Sequence, residues 1–298
     1  MTIITISGGL YSNGNEVAGK VAERLGYSAL SREAIFEAAK KYRISENKLE
    51  EAMHDAPSLF QRFSPEKQKY IDYVAAEVLA AFAKDNVVYS GYSGHFFASN
   101  IPHMPVEVLA YLKNDNVNYN GFAGRFFESH VTHLFNVRIV ANLEDRIHLL
   151  MNRQNLSREQ AASLLKKDDH ERQAWSRHFY GMDSTDLSLY DLAIHINKLT
   201  VADAVDAICE RAVQPKFSAS PDSQLAIENM ALAAGIRAAL IGDYPRCEVI
   251  ADGQAVEIFV RYTLHTDAMI VDKITEKVLN MPGVSKVSVI LIPSVVFT

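Results

Sequence analysis

The chain has 298 residues, 48% of them hydrophobic, and a formal net charge of −6, which is enough to bury a sizeable core and too acidic for the basic footprint of a duplex-binding protein. No apolar stretch reaches the length of a bilayer span, and the first residues run into a strand with no basic or cleavable segment ahead of them. The expectation is a cytoplasmic protein of one or two domains with no nucleic-acid partner and no membrane span, whose two cysteines, Cys209 and Cys247, fall in different predicted units, make no zinc site by themselves and stay as reduced, buried thiols.

The β-branched run Thr2-Ile3-Ile4-Thr5-Ile6 leads through a loop of small residues into Val17, Val21, Ala22 and Leu25 at helical spacing, a strand, turn and helix. A loop of the form G-x-x-x-x-G-K-[ST] in that place cradles phosphates with backbone N–H groups and a helix N-terminus; its lysine reaches the outer phosphate oxygens and its hydroxyl holds magnesium. Gly9 and Gly14 keep the glycine spacing, so Gly9, Ser12, Asn13, Gly14 and Asn15 are the candidate nucleotide-binding residues. Asn15, however, stands where the lysine belongs and Glu16 where the hydroxyl belongs.

Residues 27–30 read as a short strand, and Ser31 as the N-cap of a helix with Arg32, a further candidate nucleotide contact, in its first turn. A short helix follows over 46–53. Ser64-Pro65-Glu66 starts a long one whose stripe includes Ile71, Val74, Val78, Leu79 and Phe82. The sequence then repeats itself: 85–99, with Val87-Val88-Tyr89-Ser90-Gly91-Tyr92, returns as 115–129, with Val117-Asn118-Tyr119-Asn120-Gly121-Phe122. Only one copy can fill the strand's place in a sheet, and the more apolar first copy is expected there, leaving the second at the sheet edge, the pocket rim or an oligomer interface.

A strand over 135–141, a helix over 143–154 and a second helix opened by the capping box Ser157-Arg158-Glu159-Gln160 come next. The helical pair carries Arg146, Arg153, Arg158, Arg172 and Arg177. Asp191 to Ile196 reads as a buried strand with His195 as a core histidine, and Thr200 caps the last helix of this part. Alternating strands and helices predict a parallel sheet covered on both faces. The Pro- and Ser-rich stretch 214–223 reads as a linker between a domain over 1–213 and one over 224–298. The second should run as helix (225–241), strand (247–251), Asp252-Gly253 turn, alternating strand, helix and final strand, a small αββαβ unit.

Residues 1–213 resemble the cytidylate kinase-like family, relatives of the P-loop nucleoside monophosphate kinases. The resemblance rests on Ile6, Ser7, Ser12, Gly14, Glu16, Ala18, Ala22, Leu25 and Gly26, on Val137-Arg138-Ile139-Val140-Ala141 with Glu144-Asp145-Arg146, and on Asp169-His170-Glu171-Arg172 through Phe179-Tyr180-Gly181-Met182-Asp183 to Tyr190-Asp191-Leu192. It implies a P-loop nucleoside monophosphate kinase-like α/β fold and ATP-dependent phosphoryl transfer, with magnesium, to CMP or a related nucleotide. It implies that Arg153, Arg172 and Arg177 are the catalytic, lid-like arginines, with Arg158 behind them. Arg125, three residues after Phe122, is a further nucleotide-binding candidate that one helical turn would bring back toward the pocket. The departures fall on phosphate-handling positions: Tyr11 and Asn13 replace loop glycines, Asn15 replaces an arginine, and Tyr92 and Phe122 stand where an arginine grips the acceptor. One well-placed arginine is worth on the order of 10³ to 10⁵ in phosphoryl-transfer rate. The alternative therefore stays open of a lapsed kinase that binds a nucleotide or other small ligand as a sensor or assembly protein. The C-terminal unit resembles a BON domain through Asp252-Gly253 and Pro282-Gly283-Val284-Ser285-Lys286-Val287, with an ACT-like sensor as the other reading.

Three features have plainer readings. The aromatics Tyr89, Tyr92, Phe96, Phe97, Tyr119, Phe122, Phe126 and Phe127 serve packing or base stacking. His130 and His133 lack a carboxylate or cysteine partner and read as surface or rim residues rather than metal ligands. Asp168, Asp169 and Glu171 are at hand to neutralise Arg172.

Overall fold

The β-branched opening folds as β1 (Ile3–Gly8), the middle strand of a five-stranded parallel sheet. The computed structural model describes residues 2–54, 65–91, 131–180, 182–245, 247–262 and 269–293. With β2 (Ser28–Leu30), β3 (Val87–Ser90), β4 (Leu134–Ala141) and β5 (Leu192–Ile196), the strand order is β2-β3-β1-β4-β5. β1 is buried from Ile3 to Ser7 because helices lie on both faces, which is why its sequence is apolar or small on both sides. β3 belongs to the first copy of the repeat. The second copy lies outside the described residues, as do Arg125, His130, Tyr92 and Phe122.

The helices are α1 (Gly14–Leu25), α2 (Glu33–Tyr42), α3 (Glu46–His54), α4 (Pro65–Phe82), α5 (Leu143–Gln154), α6 (Arg158–Tyr180) and α7 (Val201–Ala212). One face of the sheet, with Ile3, Val87, Tyr89 and Leu134, packs under α2, α3, α4 and Trp175 of α6. The other, with Ile4, Ile6, Val88, Phe135, Val137 and Ile139, packs against Val17 and Val21 of α1 and Ala204 and Ile208 of α7. Local start signals act as written: Thr200 and Asp203 form a reciprocal capping box, and Ser157 Oγ accepts from Gln160 N (3.2 Å) while Gln160 Oε1 accepts from Ser157 N (2.9 Å). Ser31 differs. Its N–H and hydroxyl both donate to Glu33 (2.7 and 3.0 Å), so the helix starts later, with Arg32 as the flanking residue.

Two histidines depart from expectation. β5 is an edge strand in which only Ile194 is buried, so His195 is exposed and its Nε2 meets Asn142 Oδ1 at 2.9 Å. His133 is fully buried rather than at the surface, because Ser223 docks on it: Ser223 Oγ lies 2.5 Å from Nδ1 and accepts from the His133 and Thr132 N–H groups. Burial holds the His133 pKa below its usual 6.5, with Asp85 pulling the other way. The unfolded chain thus binds the extra proton first, so stability present above about pH 6.5 is lost as pH falls through the lower folded value. The expected result is that wild type loses more stability than His133→Gln between pH 7.5 and 5.5 in denaturant titrations; equal losses contradict it.

The C-terminal part is α8 (Pro221–Leu240), β6 (Cys247–Asp252), β7 (Ala255–Tyr262), α9 (Ile270–Leu279) and β8 (Lys286–Pro293). β7 is central in a second sheet, antiparallel to β6 and parallel to β8. α8 starts four residues before the expected 225, because Ser220 caps it and Pro221 fits the first turn. Its residues serve two cores: Ile227 and Ala238 join the layer on α4, while Ala233, Ile236 and Leu240 face the small sheet. The Pro- and Ser-rich stretch before it is packed, with Phe217 against Phe135 (centroids 4.4 Å apart) and Thr2 Oγ1 reaching Phe217 O (2.8 Å) and Ala212 O (3.0 Å). Both cysteines are free and buried, and burial pushes the Cys247 thiol up to about 12. No helix among the described residues is long and apolar enough to cross a membrane.

Candidate functional site

The loop between β1 and α1 lies at the carboxyl end of the sheet, where ligands of open α/β sheets bind. Tyr11 and Asn13 adopt left-handed backbone (φ 60° and 66°), so the loop keeps a glycine-like path through residues that are not glycine, at a cost of about 1–3 kcal/mol each. The side chain of Asn13 does not cap α1, which leaves first-turn N–H groups of that helix available to a ligand. Ser12 is 2% exposed and its Oγ has no hydrogen-bond partner among the described residues. Gly8 is required beneath it, since a Cβ there would collide with Ser12 Oγ and lie 3.2 Å from Ile139 O.

Arginines from the α5–α6 pair close over this loop. Arg146, its side chain 8% exposed, donates Nε to Leu10 O (2.7 Å) and both terminal nitrogens to Asp169 (2.8 Å each). A Cβ on Gly9 would sit 2.8 Å from Arg146 Nη2, so that glycine makes room for the guanidinium. Arg172 donates Nη1 to Gly8 O (3.2 Å) and Nε to Asp168 (2.7 Å). Arg153 lies over the Tyr11 ring, 5.7 Å from its centroid, and makes no ion pair among the described residues. Arg177 is turned to Asp183 (2.6 Å), and Arg158 to Glu144 (2.8 Å). Arg32 pairs with Glu50 and lies 6.0 Å from the Phe36 ring centroid.

The position of the missing loop cation is occupied by a neutral contact: Asn15 Oδ1 accepts from Ser90 Oγ at the end of β3 (2.7 Å). Glu16 is engaged by Lys20 (2.7 Å) one turn on. Gly9, Ser12, Asn13, Gly14, Asn15, Arg153 and Arg172 are therefore brought together around one loop, while Arg177 and Arg32 are held by carboxylates of their own. Residue-by-residue reading missed Arg146, whose signal was the Glu144-Asp145-Arg146 match together with Asp169 on the following helix.

The sequence profile of the cytidylate kinase-like family matches residues 3–110 and 103–198. The chain belongs to the cytidylate kinase-like family. The two matches overlap, and each includes one copy of the repeat, 85–99 in the first and 115–129 in the second. The cytidylate kinase-like region therefore spans the whole parallel sheet and stops before α7. Similar solved structures include an uncharacterized protein from Eubacterium ventriosum, with 21% identity over 71% of this chain and 98% of that one and a TM-score of 0.44. Shikimate kinase from Acinetobacter baumannii, in complex with shikimate, has 14% identity over 71% of this chain and 92% of that one (TM-score 0.35). Shikimate kinase from Aquifex aeolicus has 18% identity over 70% and 94% (TM-score 0.32). No curated protein matches the chain.

Proposed function

We propose that the protein is an ATP-dependent phosphotransferase that moves the γ-phosphoryl group to CMP or a related nucleotide. The observation that carries this reading is the buried Ser12 hydroxyl, unpartnered among the described residues at the uncapped start of α1. A buried hydroxyl left without a bond costs about 1–3 kcal/mol, which a phosphate oxygen would offset, and the first-turn N–H groups favour the same anion. Arg153 supports it as the loop-side arginine with no ion-pair partner among the described residues, able to move onto a donor phosphate. Arg172 acts in this proposal by holding the Gly8 carbonyl, and Arg177 by fixing Asp183. Magnesium would enter with the triphosphate, whose oxygens would supply much of its shell. The C-terminal αββαβ unit is in this reading a BON-like ligand-sensing or assembly module anchored on α4.

The test is ADP formation from magnesium-ATP with CMP, dCMP, UMP and AMP in turn, beside calorimetric titration of ATP. Acceptor-stimulated ADP formation that falls at least tenfold in Arg153→Met is the expected result. ATP binding with no stimulation by any acceptor would make the protein a non-catalytic nucleotide binder, and silence in both measurements overturns the reading altogether.

A further inference from the structure

The face of the sheet that carries Ile3, Val87 and Leu134 in the core changes character toward the carboxyl ends of its strands. Parallel register aligns Thr5 with Asn136 and Ser7 with Arg138, and side chains of register partners share a face. Thr5 Oγ1 donates to Asn136 Oδ1 (2.8 Å). Beyond them the Arg138 guanidinium lies over the Tyr190 ring, 5.6 Å from its centroid, and Ser7 and Arg138 both bear on the Tyr190 hydroxyl, which donates to Ser184 O (2.8 Å). Arg138 is only partly exposed, and among the described residues it makes no ion pair.

The nearby carboxylates are spoken for. Asp191 Oδ2 accepts from Asn136 N (2.8 Å). Asp183 takes Gln173 (3.0 Å), Thr185 (2.7 and 2.9 Å) and Arg177 (2.6 Å). A partly desolvated cation with no counter-ion among the described residues, beside two hydroxyls and on the floor of the sheet, favours an incoming oxyanion. Ser7 precedes Gly9 by two residues, so this floor is within about 7 Å of the phosphate loop along the strand. We propose that Arg138, with Ser7 and Tyr190, forms an anion subsite that holds the acidic group of the acceptor, a phosphate monoester or a carboxylate, against the donor at the loop.

The inference rests on the phosphotransferase reading, and the experiment separates the two. ATP titration reports on the loop alone. CMP, cytidine and malonate are then titrated in the presence of a non-hydrolysable ATP analogue, on wild type, Arg138→Gln and Arg138→Lys, with thermal unfolding as the check on folding. The expected result is that Arg138→Gln weakens CMP binding about 10- to 100-fold, as loss of a charge-assisted contact does, while ATP and cytidine affinities stay as in wild type. Arg138→Lys recovers part of the loss and stands in if the glutamine variant does not fold. Malonate binding that depends on Arg138, without CMP binding, keeps the subsite and makes the acceptor a carboxylate, which overturns the nucleotide acceptor. CMP and malonate affinities unchanged in both variants, or no anion bound by wild type with ATP bound normally, overturn the subsite.

Discussion

Arg237→Met is expected to lower the unfolding free energy by about 3–5 kcal/mol at pH 8, the usual cost of removing one partner from a buried ion network. Arg237 on α8 donates Nε to Asp72 of α4 (3.2 Å), pairs through Nη1 with Glu248 of β6 (3.0 Å), and donates to Cys247 O. The three side chains are only 18%, 12% and 16% exposed. Burial raises the pKa of both carboxyls and Arg237 lowers it, so the variant's folded values rise further above those of the unfolded chain. Stability from such groups is present below the unfolded pKa and lost as pH rises through the folded one. The deficit should therefore be smaller at pH 5 than at pH 8. A triple variant, Asp72→Leu, Arg237→Met, Glu248→Leu, should recover most of it, since apolar replacement of a whole buried network is often neutral or better. Denaturant titration at the two pH values decides; an Arg237→Met variant within 1 kcal/mol of wild type would mean that water already reaches the network.

The parts of this molecule legible in sequence are those in which cause and effect lie within a few residues. The capping boxes at Ser157 and Thr200 are fixed by residues three apart, and the period-2 and period-3.6 patterns give the strands and helices of the parallel sheet. What escaped depends on partners far along the chain. His133 looks like a surface histidine until Ser223, ninety residues on, is laid across it. His195 sits in an apolar run that turns out to lie at an edge, where one flank of the strand faces solvent. The strand, turn and helix around the first loop were legible, yet nothing local foretold that Tyr11 and Asn13 would keep a left-handed backbone. Nor did it foretell that Arg146 would clamp the loop from outside through Asp169, twenty-three residues away on the next helix.

That clamp carries the second large expectation. In Arg146→Met the Leu10 carbonyl loses its donor and Asp169 its bidentate partner. Charged hydrogen bonds of this kind are worth about 1.5–3 kcal/mol each, and Asp169 is exposed enough to be resolvated by water. A stability loss of about 2–3 kcal/mol is expected, together with a fall of at least tenfold in ATP affinity, because the loop must then be ordered by the ligand instead of by the protein. Arg146→Lys should rescue little, since an ammonium cannot span Asp169 and Leu10 with the planar fork that the guanidinium provides. Gly9→Ala approaches the same contact from the other side: its Cβ would stand 2.8 Å from Nη2 and 3.0 Å from Asp169 Oδ1, so it should weaken ATP binding in the same direction and add little to Arg146→Met in a double mutant. Measured by calorimetry, additive losses in that pair would show that glycine and arginine act on the loop separately. ATP affinity unchanged in Arg146→Met would remove the guanidinium from any part in shaping the cradle.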